Sequence, residues 1–183
     1  MKSSLRNPSA GRSQPIVLRA APRDRSRAIL QFGVLRLPAA LGRAGIVSCK
    51  KEGDGGSPRA TMRLLSGCFR GDRITNLVTA LPMIRTNAGM LWCDAPQHPA
   101  YNRPVSAPFA ASHERLMRDD SLYDICLVMD WNVSSRQRGR GSAIFFHLAR
   151  PGYTPTEGCV AVARRDMLRL IRHFRRGTRI RIL

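Results

Sequence analysis

The sequence predicts a mainly β fold with one amphipathic helix near the C-terminus and one possible short helix before it. Three observations lead to this prediction. From Pro15 onward, short apolar runs alternate with turns rich in Gly and Pro. Residues 122–131 and 142–147 are rich in β-branched and aromatic side chains. Helical spacing of apolar residues is clear in one segment, residues 164–176.

Most of the chain is predicted to form short strands. Gly33 supplies the turn of a hairpin between residues 28–32 and 34–37, because glycine readily adopts the left-handed conformations of tight turns. Residues 50–58 form a charged Gly-rich loop without the G-K-[ST] ending of a phosphate-binding loop. The remaining strands are predicted at residues 16–18, 46–49, 61–65 and 178–183, with two or three short extended pieces within residues 73–91.

Two segments of the second half are predicted to be non-strand. Residues 92–111 contain four prolines and are predicted to form a long loop. Residues 112–118 (SHERLMR) are predicted to form the short helix, with Ser112 as its N-cap.

The late helix, residues 164–176, has apolar residues at i, i+3, i+4 and i+7, and Gly177 is expected to end it. These apolar residues are Met167, Leu170, Ile171 and Phe174.

The chain is strongly basic. Its 183 residues include 31 Lys+Arg and 12 Asp+Glu, for a net charge of +19. This length fits one domain, residues 15–183, preceded by a flexible basic tail, residues 1–14. The charge favours an anionic partner such as nucleic acid or an anionic membrane surface, or it serves solubility alone. Aromatic residues make up only 6% of the chain and do not alternate with arginine, so a base-stacking surface is not expected.

No membrane-spanning or export segment is expected from the sequence. Charge-free apolar runs such as residues 143–146 are far shorter than the ~20 residues that cross a bilayer. The first 30 residues carry many basic side chains, and no apolar stretch of the kind found in a secretory signal separates them.

The five cysteines argue against a metal site. They stand at positions 49, 68, 93, 126 and 159, and no C-x-x-C motif occurs. Cys93 and His98 would supply only half of a metal site, so no metal or other cofactor is expected. Cys49, Cys68 and Cys126 have apolar neighbours and are predicted to be small core residues.

Cys159 has a different setting. It follows Gly158, and His147 ends a predicted apolar strand twelve residues earlier. A thiol nucleophile needs a nearby base and backbone N–H groups directed at the developing oxyanion, and a preceding glycine allows the tight turn that directs them. The alternative is that both residues are structural, since a lone Cys and a lone His are common in proteins.

Residues 147–160 resemble the signature of L,D-transpeptidase catalytic domains (YkuD-like), which is a strand-ending His followed after a gap by [ST]-x-G-C and an apolar residue. The chain supplies His147 and then T-E-G-C-V at residues 156–160. The resemblance spans residues 15–183. It is supported at residues 45–58, 92–94 (WCD), 101–105 (YNRPV), 112–116 (SHERL), 122–124 (LYD) and 139–147 (GRGSAIFFH).

This resemblance implies an L,D-transpeptidase-like β-sandwich that acts on peptidoglycan stem peptides in the periplasm or cell envelope. Cys159 would attack the carbonyl before the terminal D-Ala, and an amine, or water in a carboxypeptidase, would resolve the thioester. His147 would act as base and then acid, with its ring oriented by the carbonyl of Leu148. The backbone N–H groups of Gly158 and Cys159 would hold the oxyanion.

Four further residues are expected to contact substrate. Arg138, Arg140 and Arg150 flank the strand that carries His147, and arginine binds carboxylates such as those of stem peptides through paired hydrogen bonds. Thr156 belongs to the cysteine motif itself. His113 and Glu114 would form an acid–base pair only if they pointed the same way, and they are predicted to be a surface pair.

Two other functions stay open. The chain departs from the family pattern at Leu148, Glu157 and Ala161, which leaves room for an inert module that binds muropeptides without turnover. The net charge and the RGRG sequence at residues 138–141 leave room for a nucleic-acid-binding protein, although RGRG occurs in many solvated turns.

Overall fold

The computed structural model describes residues 14–183, so the predicted tail lies almost wholly outside the described residues. Strands dominate, and the mainly β class with one late helix is confirmed. The described residues form fourteen strands. In chain order, β1 to β14 are Ile16–Ala21, Asp24–Phe32, Leu35–Ala40, Ile46–Val47, Ser57–Pro58, Thr61–Phe69, Met83–Arg85, Met90–Cys93, Arg103–Ser106, His113–Arg115, Ile125–Met129, Phe145–Leu148, Val160–Val162 and Arg179–Ile182.

The main sheet closes on itself. Its strand order is β11-β12-β13-β3-β2-β1-β14-β6-β7, and β11 also pairs with β6. Eight strands therefore form a ring, which joins the two layers of the expected sandwich edge to edge. The hairpin predicted around Gly33 is confirmed as β2 and β3, which pair from Phe32 and Leu35 onward. A second hairpin that was not predicted pairs β1 with β2, with Ala21 opposite Asp24. The ring encloses the main apolar core, whose fully buried members include Leu30, Phe146 and Ile180.

Within the part of the chain that the structure describes, one α-helix packs against this core. Helix α1, Arg164–Leu170, continues into a 3₁₀ turn at Ile171–His173 and buries Met167 and Leu170. The predicted helix to residue 176 is therefore too long. Phe174 has extended backbone angles (φ −90°, ψ 141°) and its ring is fully buried, so packing of that ring replaces further helical turns. Gly177, at a positive φ of 87°, then provides the turn into β14.

A small sheet of order β10-β8-β9 lies where the sequence predicted a loop and a helix. Residues 92–111 contain β9 and the end of β8, and His113–Arg115 is a strand instead of part of a helix. Both predictions were wrong because pairing with β8 overrides local preference: Glu114 and Pro104 each lie opposite Trp92. Pro104 is accommodated because β9 is an edge strand.

The small sheet packs on the main ring through a second apolar cluster. Trp92 and Phe145 meet edge to face with ring centroids 5.3 Å apart. The cluster consists of Cys68, Trp92, Leu116, Tyr123, Cys126, Phe145 and Cys159. Cys159 therefore lies at the junction of the two sheets. Within residues 14–183, no helix has the length and apolar character needed to cross a membrane.

Candidate active site

Cys159 stands at the entry to β13, beside the strand that carries His147. Strands β12 and β13 are parallel, with Phe146 opposite Val160 and His147 opposite Ala161. Because side chains alternate along a strand, Cys159 and His147 project from the same face of the sheet. The thiol donates a hydrogen bond to the carbonyl of Ala143 (3.3 Å) and accepts one from the N–H of Phe145 (3.3 Å). Neither of these contacts involves His147.

The turn before Cys159 is fixed by a close backbone approach. Gly158 has φ +135°, a conformation that side chains disfavour, and a Cβ atom on it would lie 2.8 Å from the carbonyl oxygen of Gly56. Buried Ser57 accepts a hydrogen bond from the N–H of Gly42 and donates one to the carbonyl of Gly158, each 2.9 Å long. The Gly-rich loop at residues 50–58 thus supports the cysteine turn.

Thr156 closes the same turn from within. Its hydroxyl donates to the carbonyl of Cys159 (2.7 Å) and accepts from the N–H of Gly158 (3.2 Å). This hydroxyl therefore shapes the turn. Thr156 also lines the cleft that contains Cys159, so its contact with substrate stays a prediction. The N–H of Gly158 that was expected in the oxyanion hole has a partner in this structure, which leaves the N–H of Cys159 as the better candidate of the two.

His147 is almost fully buried, with 4% of its surface exposed. Its Nδ1 atom lies 2.9 Å from the carbonyl oxygen of Leu148, a contact that favours the tautomer with the proton on Nδ1. In that tautomer Nε2 is free to accept a proton. The ring of Tyr123 meets the imidazole edge to face, with centroids 5.1 Å apart, and restricts its rotation.

Burial keeps both groups uncharged. Desolvation raises the pKa of the Cys159 thiol to about 12, against the opposing effect of the hydrogen bond from Phe145. Desolvation lowers the pKa of His147 to about 4, although the contact with the Leu148 carbonyl works in the opposite direction. The resting pair at neutral pH is therefore a thiol and a neutral imidazole, and nucleophile formation requires proton transfer as substrate reacts.

A cleft of about 380 Å³ opens onto both residues. Arg150 lies on its wall and forms an ion pair with Asp120 (3.3 Å). Arg140 lines a neighbouring cavity of about 230 Å³ instead. Arg138 is exposed and contacts Gln97 at 3.3 Å. The structure therefore brings Arg150 alone of the three arginines to the cleft, because the turn at residues 132–141 folds away from it.

The cleft also contains residues that the sequence analysis did not assign to the site, among them Glu52, Asp94, Glu114, Arg118 and Tyr123. Glu114 lies in strand β10, where it is half-buried on the cleft wall. Glu114 belongs to the SHERL segment that resembles the family, and this resemblance could have indicated it as a site residue. The prediction of a helix for that segment placed Glu114 on a surface instead. Cys49 is exposed, so its prediction as a core residue was wrong. The part of the chain described here contains no group of His, Cys, Asp or Glu that could hold a metal ion.

Comparison with known protein families agrees with the resemblance seen in the sequence motif. The family model YkuD, the L,D-transpeptidase catalytic domain, matches residues 24–182. No curated protein and no solved structure matches the chain. The matched segment includes both strands of the site and the small sheet that packs over them.

The close approach at Gly158 predicts a strong effect of a single methyl group. Gly158→Ala should abolish acylation of Cys159 and lower the melting temperature, because the added Cβ collides with the carbonyl of Gly56. Gly139→Ala is the matched control, since Gly139 also has a positive φ (72°) but no atom within 4 Å of an added Cβ. Equal melting temperatures and acylation rates in the two variants would contradict the prediction.

Burial of His147 predicts a pH-dependent stability. Below pH ~6.5 the unfolded chain binds a proton at this residue, whereas the folded chain does so only near pH 4. Between these values wild type should therefore lose on the order of 3 kcal/mol more unfolding free energy than His147→Asn. Urea unfolding of both proteins from pH 7 to pH 4 measures this difference. Parallel curves would mean that the imidazole titrates normally in the fold.

Proposed function

The chain belongs to the L,D-transpeptidase catalytic domain family, and on this premise we propose that it is a cysteine acyltransferase acting on peptidoglycan stem peptides. The observation that carries the proposal is the arrangement of Cys159 and His147 on one face of two paired strands, both facing the same cleft. In the proposed reaction the carbonyl carbon before the terminal D-Ala of a tetrapeptide is joined to Cys159 as a thioester.

The first half-reaction begins with the neutral pair. As the sulfur of Cys159 attacks the carbonyl carbon, its proton passes to Nε2 of His147, which becomes an imidazolium. The Leu148 carbonyl, 2.9 Å from Nδ1, holds the ring in place and stabilises the positive charge. The N–H of Cys159 is proposed to stabilise the oxyanion. His147 then gives the proton to the departing amine of D-Ala, and the thioester remains.

The second half-reaction uses an amine from another stem peptide, which yields a cross-link. With water in its place the product would be a shortened stem peptide, and the enzyme would be a carboxypeptidase. Both reactions place the protein in the cell envelope, where its polymeric substrate lies. No step requires a metal ion or nucleotide.

Two features of the cleft support this function over the alternatives. An inert binding module would not need a thiol at the floor of a cleft beside a base whose tautomer is fixed by a backbone carbonyl. A nucleic-acid site would favour basic walls, but this cleft includes the carboxylates of Glu52, Asp94, Glu114 and Glu157. The positive charge of the chain therefore lies mainly away from the candidate chemistry.

Covalent capture tests the proposal directly. We expect one adduct on Cys159 when the protein is incubated with a carbapenem, a class that this family typically captures as a thioester, and the same site to be acylated by a stem tetrapeptide. Intact-protein mass and peptide mapping measure both. His147→Ala should slow acylation ~10²–10⁴-fold, the usual effect of losing a positioned acid–base group. The Cys49→Ser background removes the exposed thiol as a competing nucleophile. An adduct on another cysteine, or none, would refute the proposal.

The position of Arg150 predicts a defect in substrate binding. Arg150→Ala should raise the KM for a stem tetrapeptide several-fold with a smaller change in kcat, because the lost guanidinium lies on the cleft wall. Arg138→Ala is the matched control, since Arg138 is exposed and lies outside the residues that line the cleft. Steady-state kinetics measure the KM of both variants. Equal KM values would contradict this role of Arg150.

A further inference from the structure

Carboxylates are concentrated in the cleft of a chain that has few of them. The whole sequence has 12 Asp+Glu against 31 Lys+Arg. Four of these acids, Glu52, Asp94, Glu114 and Glu157, line the cleft that contains Cys159. An acidic wall in a basic protein favours a positively charged ligand there.

Two of the four carboxylates are already engaged. Glu52 accepts hydrogen bonds from the hydroxyls of Tyr101 and Ser142, the latter 2.9 Å long. Glu157 is exposed at the rim and forms an ion pair with Arg43. Their contacts tie loops together and leave these groups little capacity for a ligand.

Glu114 is only loosely engaged. Its Oε2 atom lies 3.5 Å from the Tyr123 hydroxyl and 3.9 Å from the Arg118 guanidinium. Arg118 is committed elsewhere, because it holds both carboxylate oxygens of Asp120 at 2.9 and 2.8 Å. The half-buried carboxylate of Glu114 therefore retains hydrogen-bonding capacity towards the cleft.

Asp94 adds a second observation on the same wall. Its Oδ1 atom is buried and has no hydrogen-bond partner among the described residues. Burial and the charge of Asp94 raise the pKa of Glu114, while Arg118 opposes them. Glu114 also contributes to the raised pKa of Cys159, which places its charge within electrostatic reach of the thiol. An arriving cation would relieve the repulsion between the two carboxylates.

The proposed reaction requires such a cation and a second proton acceptor. At neutral pH a primary amine of a stem peptide is an ammonium, since ordinary alkyl amines titrate near pH ~10. Formation of an amide from this ammonium releases two protons. One returns to the sulfur of Cys159, so the other must leave through a different group.

We propose that Glu114 binds the ammonium of the acceptor substrate and takes its first proton. Glu114 would thereby determine that an amine, and not water, resolves the thioester. The inference rests on the proposed function. With one proton on Glu114, the neutral amine nitrogen attacks the thioester carbon and forms the C–N bond. His147 takes the second proton, the C–S bond breaks, and His147 protonates the departing sulfur of Cys159. Glu114 then releases its proton to water.

The test separates the two half-reactions. Wild type, Glu114→Gln and Glu114→Asp are first acylated with a stem tetrapeptide, and the thioester is then resolved by water or by a second stem peptide with a free side-chain amine. Asp119→Asn is the matched control, because it removes one carboxylate from the neighbouring chain segment at an exposed position outside the cleft lining. Intact-protein mass follows the thioester, and chromatography quantifies the products.

We expect Glu114→Gln to acylate within threefold of wild type and to hydrolyse its thioester normally, while aminolysis falls at least tenfold. Glu114→Asp should recover part of the aminolysis, and Asp119→Asn should match wild type. Unchanged aminolysis in Glu114→Gln, or an equal loss of acylation and aminolysis, would overturn the role of Glu114 alone. A wild-type protein that forms no thioester would instead overturn the proposed function on which it rests.

Discussion

The candidate site depends on the close contact between two glycine-containing turns. Gly158 approaches the carbonyl of Gly56 more closely than any residue with a side chain could. Ser57 joins the same two segments by donating a buried hydrogen bond to the carbonyl of Gly158, and it accepts another from the N–H of Gly42. The cysteine turn is thereby held against a loop about a hundred residues earlier in the chain. The hydroxyl of Thr156 adds two hydrogen bonds to backbone groups within the turn, so contacts within the chain fix the position of Cys159.

Burial decides the protonation state from which the chemistry begins. Cys159 and His147 both lie where water is largely excluded, and desolvation disfavours the charged form of each. A preformed thiolate–imidazolium pair is therefore not the resting state. The thiol is instead held by the carbonyl of Ala143 and the N–H of Phe145, and the imidazole by the carbonyl of Leu148.

The cleft is electrostatically distinct from the rest of the protein. The small sheet contributes Glu114 and Asp94 to one wall, and Arg150 and Arg118 lie near the ion-paired Asp120. Charges of both signs thus face a single cavity, which is compatible with the zwitterionic stem peptide that we propose as substrate. The main ring carries Cys159 and His147, whereas β10 and the residue after β8 place Glu114 and Asp94 on the wall of the same cleft.

The sequence by itself determined the fold class and predicted the pair of residues at the centre of the candidate site. Alternating β-forming runs, one helical period near the end, and the spacing of His147, Gly158 and Cys159 are local features, which one chain segment displays without its neighbours. Only the tertiary structure decided that SHERL is a strand, that Arg140 faces a different cavity, and that Glu114 faces the cleft. These outcomes depend on pairing with β8 and on the direction in which a turn folds. Both are interactions between distant segments, and their free energy exceeds the small intrinsic preference of any one segment for helix or strand.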